Sequence, residues 1–537
     1  MAMGITAKNI SRSRAAECFR RSGAASAGSA DLAFTSVAFA ILILSAPIDH
    51  AMAQSRPVVV QPSVGVTVTA TNNPAIDASG APQRDVIIDL RPEIFVRARG
   101  ARLTIDGTFG VSLTDYEQHS QPNRASPTGR LDLSSTLIDN ALFLDASMAG
   151  TRTPNSVFSA PVNGVSAGNT STTGSVRLSP YLLREMAPDV FVLARSDNLL
   201  ANTFGGKAAV DGQGDVRHQA NLVRIERRPT PAGATLELTT DDTKYASHQE
   251  SALQQRSVRL IGKLALGTDL LAGVIGGHER STYFLQTIDA NRYGLMANWR
   301  PTERTTVDAE VEHRFFGYGW NLHARHRLPI AAFDVTMRRT ASALPASLAS
   351  GSASADLAGL LDSVFTTRIS NQEDRSAMVR DTLRSRGLDN VQLAPVDVFT
   401  QYAQLQQGAA AQAVFSSPLN IVSLSGFYTK ATALDGALAP LTTASNDIKQ
   451  YGAALDLSRR LSEDTTSVIS LSRKNAAGLG SRAADHSRQS SLQLSANKNL
   501  TPRSTSVMGM RRTVTASSTI PAPGNETAVF AGYRIRF

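Results

Sequence analysis

Cys18 is the only cysteine in the 537 residues of this chain, which excludes a disulfide framework and any thiolate metal site within it. Metal chemistry would have to rest on histidine and carboxylates. Beyond Gln54 no apolar run reaches the length of about 18 residues that a membrane-spanning helix needs, so helices cannot carry this chain across a bilayer. Charged residues make up only 18% and mean hydropathy is −0.12. That composition fits neither a disordered chain nor a bundle of membrane helices. Aromatics are 6% with two tryptophans, sparse for interfacial girdles. No Walker loop and no HExxH motif occurs. The length would allow several soluble domains of about 150 residues or one large barrel.

What is present begins with an address. Lys8, Arg12, Arg14, Arg20 and Arg21 form a basic region, Leu32 to Ala46 is apolar, and Ala51-Met52-Ala53 fits a small-x-small cleavage pattern. Residues 1–53 read as a secretory signal peptide cut before Gln54. The apolar run, about 15 residues, is short for an uncleaved membrane anchor, and Cys18 precedes it, which gives a lipoprotein reading no support.

After the leader the period is two. Val86, Ile88, Leu90, Ile94 and Val96 alternate with Asp89, Arg91, Glu93 and Arg97, and Leu103, Ile105, Phe109, Val111 and Leu113 alternate with Arg102, Thr104, Asp106 and Ser112. Each is a strand with one apolar and one polar face. The pattern recurs along the chain, as in Tyr293/Leu295/Ala297/Trp299, Val307/Ala309/Val311 and Tyr451/Ala453/Leu455/Leu457. A soluble sandwich would show this too, and connection lengths separate the two. Short polar turns (499–503, 460–464, 416–420, 327–330, 300–304, 265–268, 228–233) alternate with long loops such as 513–526, 475–485, 431–447, 197–214, 150–174 and 114–128. Short turns on one side and long loops on the other belong to outer-membrane barrels. Val529 to Phe537 alternates and ends on phenylalanine, resembling the signal by which such barrels are handed to their insertion machinery. The expected fold is therefore all-β: over residues 54–537, a transmembrane antiparallel outer-membrane barrel of about 18–22 strands. It would lie in the outer membrane of a Gram-negative-type bacterium, with outer-membrane lipid and the insertion machinery as partners. Tyr116, Tyr283, Phe315, Phe316, Tyr318, Trp320 and Tyr428 are expected at strand ends meeting the membrane interface.

One segment, 352–389, breaks the strand rhythm. Leu357, Leu360, Leu361 and Val364 fall at helical spacing, and Ser370-Asn371-Gln372-Glu373 fits a capping box opening a second helix through Met378, Val379 and Leu383 to Gly387. A helical hairpin inserted in a barrel could plug the lumen, cap the outer mouth or form a surface excursion. Here Leu360 to Phe365, Arg368-Ile369, Asp374-Arg375, Val379 and Leu383 to Gly387 resemble the helical signature of the outer-membrane barrels associated with the PEP-CTERM/exosortase system. Pro92-Glu93, Asp139 to Ala146 and Leu178 to Leu182 are also similar to that family. The chain departs from it at Asn371-Gln372, where members carry Asp-Pro, and at Thr69 to Asn73, a reduced form of an early Tyr-Thr-Asp-Asn element. The resemblance implies a role in envelope biogenesis with exopolysaccharide production and export, with polysaccharide and export-system proteins as partners. It brings no catalytic residues.

Enzymatic readings find little to rest on, and no cofactor is implied. His313 and His326 fall on the apolar face and His323 on the other, which does not gather a metal site. Gly164-Val165-Ser166-Ala167-Gly168 matches G-x-S-x-G, but in a Ser/Thr/Gly-rich loop without the strand-to-helix turn of a nucleophile elbow. The net charge of +9 raises nucleic acid as a partner, yet no nucleic-acid motif is present and the arginines are spread through strands. With apolar positions outward, Arg91, Glu93, Arg97, Arg99, Arg102 and Asp106 face the lumen on one hairpin. On another, Asp308, Glu310, Glu312, Arg314, Asn321, His323, Arg325 and Arg327 do the same. Such charges could offset one another, or a basic surplus could favour anionic polymer. The two functions left open are a polysaccharide export conduit and a structural or general diffusion barrel, porin-like, with no dedicated substrate.

Overall fold

The structure is a computed structural model. It describes residues 58–74, 76, 83–154, 156–158, 170–204, 215–246, 251–283, 286–344, 348, 357–388, 402–434, 447–518 and 524–537. The leader, its cleavage site and Gly164 to Gly168 lie outside these residues.

Two-faced strands leave unpaired N–H and C=O groups at every edge, and in lipid only closure satisfies them all. The chain closes. The first quarter of the wall holds β1 (Val59–Thr71), β2 (Asp85–Arg99), β3 (Leu103–Tyr116), β4 (Arg124–Ile138), β5 (Leu142–Pro154) and β6 (Thr170–Ala187). Next come β7 (Val190–Phe204), β8 (Val216–Arg227), β9 (Ala232–Tyr245), β10 (Ser251–Leu266) and β11 (Leu270–Tyr283). They are followed by β12 (Gln286–Thr302), β13 (Thr305–Arg314), β14 (Gly317–Arg327) and β15 (Ala331–Ser342). After the helices α1 (Leu357–Phe365) and α2 (Gln372–Ser385) the wall resumes with β16 (Gln404–Ser416), β17 (Asn420–Ala433) and β18 (Ile448–Arg460). It ends with β19 (Thr465–Gly478), β20 (His486–Thr501), β21 (Ser504–Ser517) and β22 (Gly524–Arg536). Each strand pairs antiparallel with its sequence neighbours, and β1 pairs with β22 through registers such as Val68↔Ala531 and Val64↔Ile535. The result is one closed 22-stranded antiparallel barrel.

Alternation sets which side chains meet lipid. Val274 is 63% and Leu295 65% exposed, and Leu260, Leu424, Met508 and Val529 stand out beside them as an apolar outer band. Exposed apolar area on this scale needs hydrocarbon around it. The protein is therefore expected to fractionate with outer membranes and to migrate differently on gels when unheated; recovery as a soluble periplasmic species would overturn the barrel in lipid.

The strands run further than alternation alone indicated. The loops expected at 114–128 and 150–174 shrink, because β3 continues to Tyr116, β4 starts at Arg124, β5 runs to Pro154 and β6 starts at Thr170. These outer ends are rich in Thr, Ser and Gly. Standing beyond the hydrocarbon, they keep the backbone ladder but need no apolar face. Three expected interfacial aromatics turn inward for the same reason: Tyr116 is 2% and Tyr283 3% exposed, set among lumen-side residues at the outer end, and Phe315 packs on Tyr283 with ring centroids 5.9 Å apart. Tyr318, by contrast, stands outward and exposed.

Candidate functional site

The described parts of the β15–β16 connection fold into the barrel and touch both of its rims. Ser342 and Gln404 are paired where the connection leaves the wall, at the long-loop end. There the Tyr245 hydroxyl donates to the Ala343 carbonyl at 2.7 Å, and Leu344 and Leu348 pack on Leu199, Ala201 and Val216. At the other extreme, the Arg386 guanidinium donates to the carbonyls of Leu419 (2.9 Å) and Pro418 (2.7 Å) in the short turn between β16 and β17. Ser458 Oγ donates to the Arg386 carbonyl at 2.8 Å.

Between these anchors lies the helical hairpin. Leu357, Leu360, Leu361, Val364 and Val379 bury against Ala332, Val414, Ile421 and Val468, the inward residues of β15, β16, β17 and β19. Arg375, on α2, donates through Nε to Asp362 Oδ1 (2.9 Å) and through Nη1 to the Ile369 carbonyl (3.0 Å), pinning α2 to α1 and to their linker. The second helix stops at Gly387, whose φ of +66° suits glycine. Leu388 N–H then reaches back to the Leu383 carbonyl at 2.8 Å, and Leu388 buries in the same cluster.

The far face of α2 meets the opposite wall. Arg380 Nη1 lies 3.4 Å from Asp106 Oδ2 on β3, which Arg97 Nε on β2 also approaches at 3.1 Å. The Arg384 guanidinium stands 5.8 Å from the Phe95 ring centroid on β2. In a ring of 22 strands, β2 and β3 are almost half a turn from β15 and β16. The hairpin thus bridges the lumen, with apolar packing on one wall and a charge latch on the other. Above it, residues 156–158 after β5 reach the inner side of β19–β21 at the outer end: Phe158 is buried, Ser487 Oγ donates to the Val157 carbonyl at 2.7 Å, Ser517 Oγ donates to the Phe158 carbonyl, and Arg482 stacks at 4.7 Å from the Phe158 ring.

The inward charges expected on β13 and β14 join a larger network. Glu310 and Glu312 receive Arg259 Nη1 from β10 at 2.8 and 3.0 Å, and Arg259 Nε reaches Glu237 on β9. Arg224 Nε on β8 lies 2.6 Å from Glu237, Arg292 on β12 binds Glu312, and Arg314 Nη2 lies 2.8 Å from Glu279 on β11. Asp308 accepts from Asn298 Nδ2 at 2.6 Å. Asp334 takes both His323 Nε2 (2.8 Å) and Arg325 Nε (3.0 Å). Asn321 pairs in register with Glu310 and Arg338. On the other hairpin, Arg91 Nε pairs with Asp89 at 2.8 Å, and Glu93 lies 3.7 Å from Arg534 Nη2 on β22. Arg99 stands near Arg380.

Two residues fall outside this interior. Arg102 lies in the short turn after β2, exposed and paired with Asp139, and Arg327 ends β14 beside the Glu303 carbonyl. Both belong to the short-turn rim, where a strand parity assigned from sequence no longer points at the lumen. Among the residues that sequence reading left out are Arg259, Arg292, Glu279, Glu237, Arg224, Asp334 and Arg380. The first three were within reach, since Val258, Leu260 and Leu264 outward put Arg259 inward, Tyr293 and Leu295 outward do the same for Arg292, and Leu270, Ala272 and Val274 outward do so for Glu279. The histidines do not converge: His313 stacks on Tyr293 at 4.9 Å, His326 stacks on Phe333, and no metal-holding group occurs among the described residues.

Fold and lumen together define an outer-membrane-type β-barrel with an internal plug. No family model matches the sequence, and no curated protein matches it. Among solved structures, the chain is similar to the siderophore receptor PirA from Pseudomonas aeruginosa (9% identity, TM-score 0.39, covering 90% of this chain and 81% of that one). It is similar also to the FrpB iron transporter from Neisseria meningitidis (9%, TM-score 0.47, 89% and 82%) and to OccK3 (OpdO) of Pseudomonas aeruginosa (11%, TM-score 0.29, 89% and 96%). With TM-scores this low, the barrel assignment rests on the hydrogen-bonded closure of this chain.

Proposed function

We propose that this chain is a gated outer-membrane conduit for an anionic polymer, serving exopolysaccharide export in a PEP-CTERM/exosortase-associated envelope system together with its export proteins. The observation that supports the reading is the basic throat at the plug. Arg97 and Arg380 share the single carboxylate of Asp106, Arg99 lies close by, and Nε and Nη2 of Arg380 are buried without a hydrogen-bond partner among the described residues. Buried cationic donors left unpaired are costly, and an anionic group passing the plug would satisfy them with charge-assisted bonds. Focused positive charge also raises the local concentration of anions. The family resemblance of the helical segment supplies the polymer class.

Replacing Arg97, Arg99 and Arg325 with Gln is expected to lower the anion-over-cation permeability ratio in reconstituted bilayers, more at low salt than at high because ions screen exposed charge. The loss of Arg325 also leaves Asp334 to His323 alone, which pushes selectivity the same way. Deleting the gene should abolish secreted polymer. Selectivity indifferent to the three substitutions, with polymer secretion intact, would leave a general diffusion barrel.

A further inference from the structure

We infer that the outer face of β17 to β21, with Arg339 at its flank, is a binding site for the phosphate-bearing headgroup of a saccharolipid in the outer leaflet. The inference rests on the outer-membrane placement and is independent of what the lumen carries. Alternation aims Arg339, Lys430, Lys449, Arg473, Arg488 and Arg512 outward, on the same face as the exposed Met337, Leu424, Leu455, Leu471, Leu492 and Met510. Counted up from the short turn of each hairpin, Arg339, Arg473 and Arg512 are the ninth residue of their strands, Lys430 the eleventh, Lys449 the twelfth and Arg488 the fourteenth. At about 2.5 Å of height per residue for strands tilted near 40°, the first five stand ~22–30 Å up, around the outer edge of an apolar band ~25 Å tall. Aromatic rings mark the same level: Lys449 Nζ lies 5.6 Å from the Tyr428 ring and 5.8 Å from that of Tyr451, and the Arg339 guanidinium 5.2 Å from Trp320. Interfacial rings and snorkelling cations belong at headgroup depth.

The charge on this face is of one sign. Lys430 and Lys449 are direct register partners, a like-charge pairing that destabilises a sheet when nothing offsets it. Among the described residues of β15 to β21, no Asp or Glu shares the outward face. Many lumen arginines are treated in the opposite way: Arg97, Arg195, Arg224, Arg259, Arg292, Arg314 and Arg511 each reach a carboxylate. The wall itself supplies a contrast: on β22, β1 and β2 the outward positions near the same end are Thr527, Val68 and Ile88, with no cation. A one-signed belt directly above an apolar face fits a ligand carrying both phosphate and acyl chains. Five strands at about 4.8 Å spacing make the belt ~20–25 Å wide, enough for one multiply acylated headgroup.

The test uses the protein extracted from outer membranes, bound to doubly phosphorylated lipid A in mixed micelles and followed by native mass spectrometry. The variant is Lys430→Gln, Lys449→Gln, Arg473→Gln, Arg488→Gln and Arg512→Gln together; the control is Arg217→Gln, Arg256→Gln and Arg280→Gln, outward cations of β8, β10 and β11. Affinity for lipid A is expected to fall about tenfold or more in the variant and to stay within about twofold in the control, given the attraction of each juxtamembrane cation to anionic lipid. The unsubstituted protein should show a similar fall for dephosphorylated lipid A, and inorganic phosphate should not displace the lipid. Equal binding of the dephosphorylated lipid, equal binding of phosphatidylglycerol, displacement by inorganic phosphate, or an equal loss in the control would overturn the inference. If the variant loses its heat-dependent gel shift, the comparison of lipids on the unsubstituted protein decides alone.

Discussion

Deleting Ser352 to Asp389 is expected to leave a folded barrel and to raise its single-channel conductance several-fold. The wall does not depend on the segment, because Ser342 already pairs with Gln404 and the twelve register pairs of β15 with β16 continue down to Ala331↔Phe415. What the segment contributes is obstruction. Each helix is about 10 Å across with side chains, and 22-stranded outer-membrane barrels are wide enough to need a plug. Here two helices span from the Ala332, Val414 and Val468 wall to Asp106 on the other side. A milder variant separates gating from bulk. Asp106→Asn weakens the Arg380 latch without touching the apolar anchor, and should produce brief openings from an otherwise closed baseline. Conductance unchanged by both variants would mean that ions pass around the hairpin, and the plug assignment would fail.

Arg259→Ala is expected to be the most damaging single substitution in the wall, costing on the order of 3 kcal/mol, at the low end of what breaking a buried ion pair costs. Arg259 serves three carboxylates, of which Glu237 and Glu312 have side chains only 4% and 5% exposed, while Glu310 is 32% exposed and partly relieved by water. Removing the guanidinium leaves Glu237 with Arg224 and Glu312 with Arg292, so each keeps one partner and loses the other. Arg259→Lys should recover only part of the loss, since a single ammonium cannot fork between β9 and β13. The readout is the temperature or urea concentration at which the compact gel form disappears. Arg130→Ala is the comparison: Arg130 and Asp132 are 69% and 50% exposed, and such pairs contribute little. If Arg259→Ala unfolds no earlier than Arg130→Ala, the lumen network contributes nothing measurable to the wall.

The strands were legible where they cross lipid, because hydrocarbon demands an apolar residue at every second position and a polar lumen demands the reverse. Leu90 and Ile94 against Arg91 and Glu93 carry that signal in four residues. The second helix was legible for a local reason too: the capping sequence at Ser370 and the glycine at 387 bracket the helix Gln372–Ser385. Legibility ended where the environment stopped imposing a period. The Thr- and Ser-rich ends of β5 and β6 stand in no hydrocarbon, and so read as loop. Tyr116 and Tyr283 read as interfacial because an aromatic near a strand end suits either side of the wall.

By itself, then, the sequence determined the class of fold, the face each central side chain takes and the presence of a helical break, all of which follow from periods of two and 3.6 residues. Only the tertiary structure decided which charges meet. Arg259 finds Glu310 and Glu312 from a strand 51 and 53 residues away, and that encounter depends on register and barrel curvature. It decided also that the helical hairpin, residues 357–388, bridges the lumen, with Leu361 buried against one wall and Arg380 held by Asp106 on the other. An apolar helix face must be covered by something, but which surface covers it is set by closure of the ring around it.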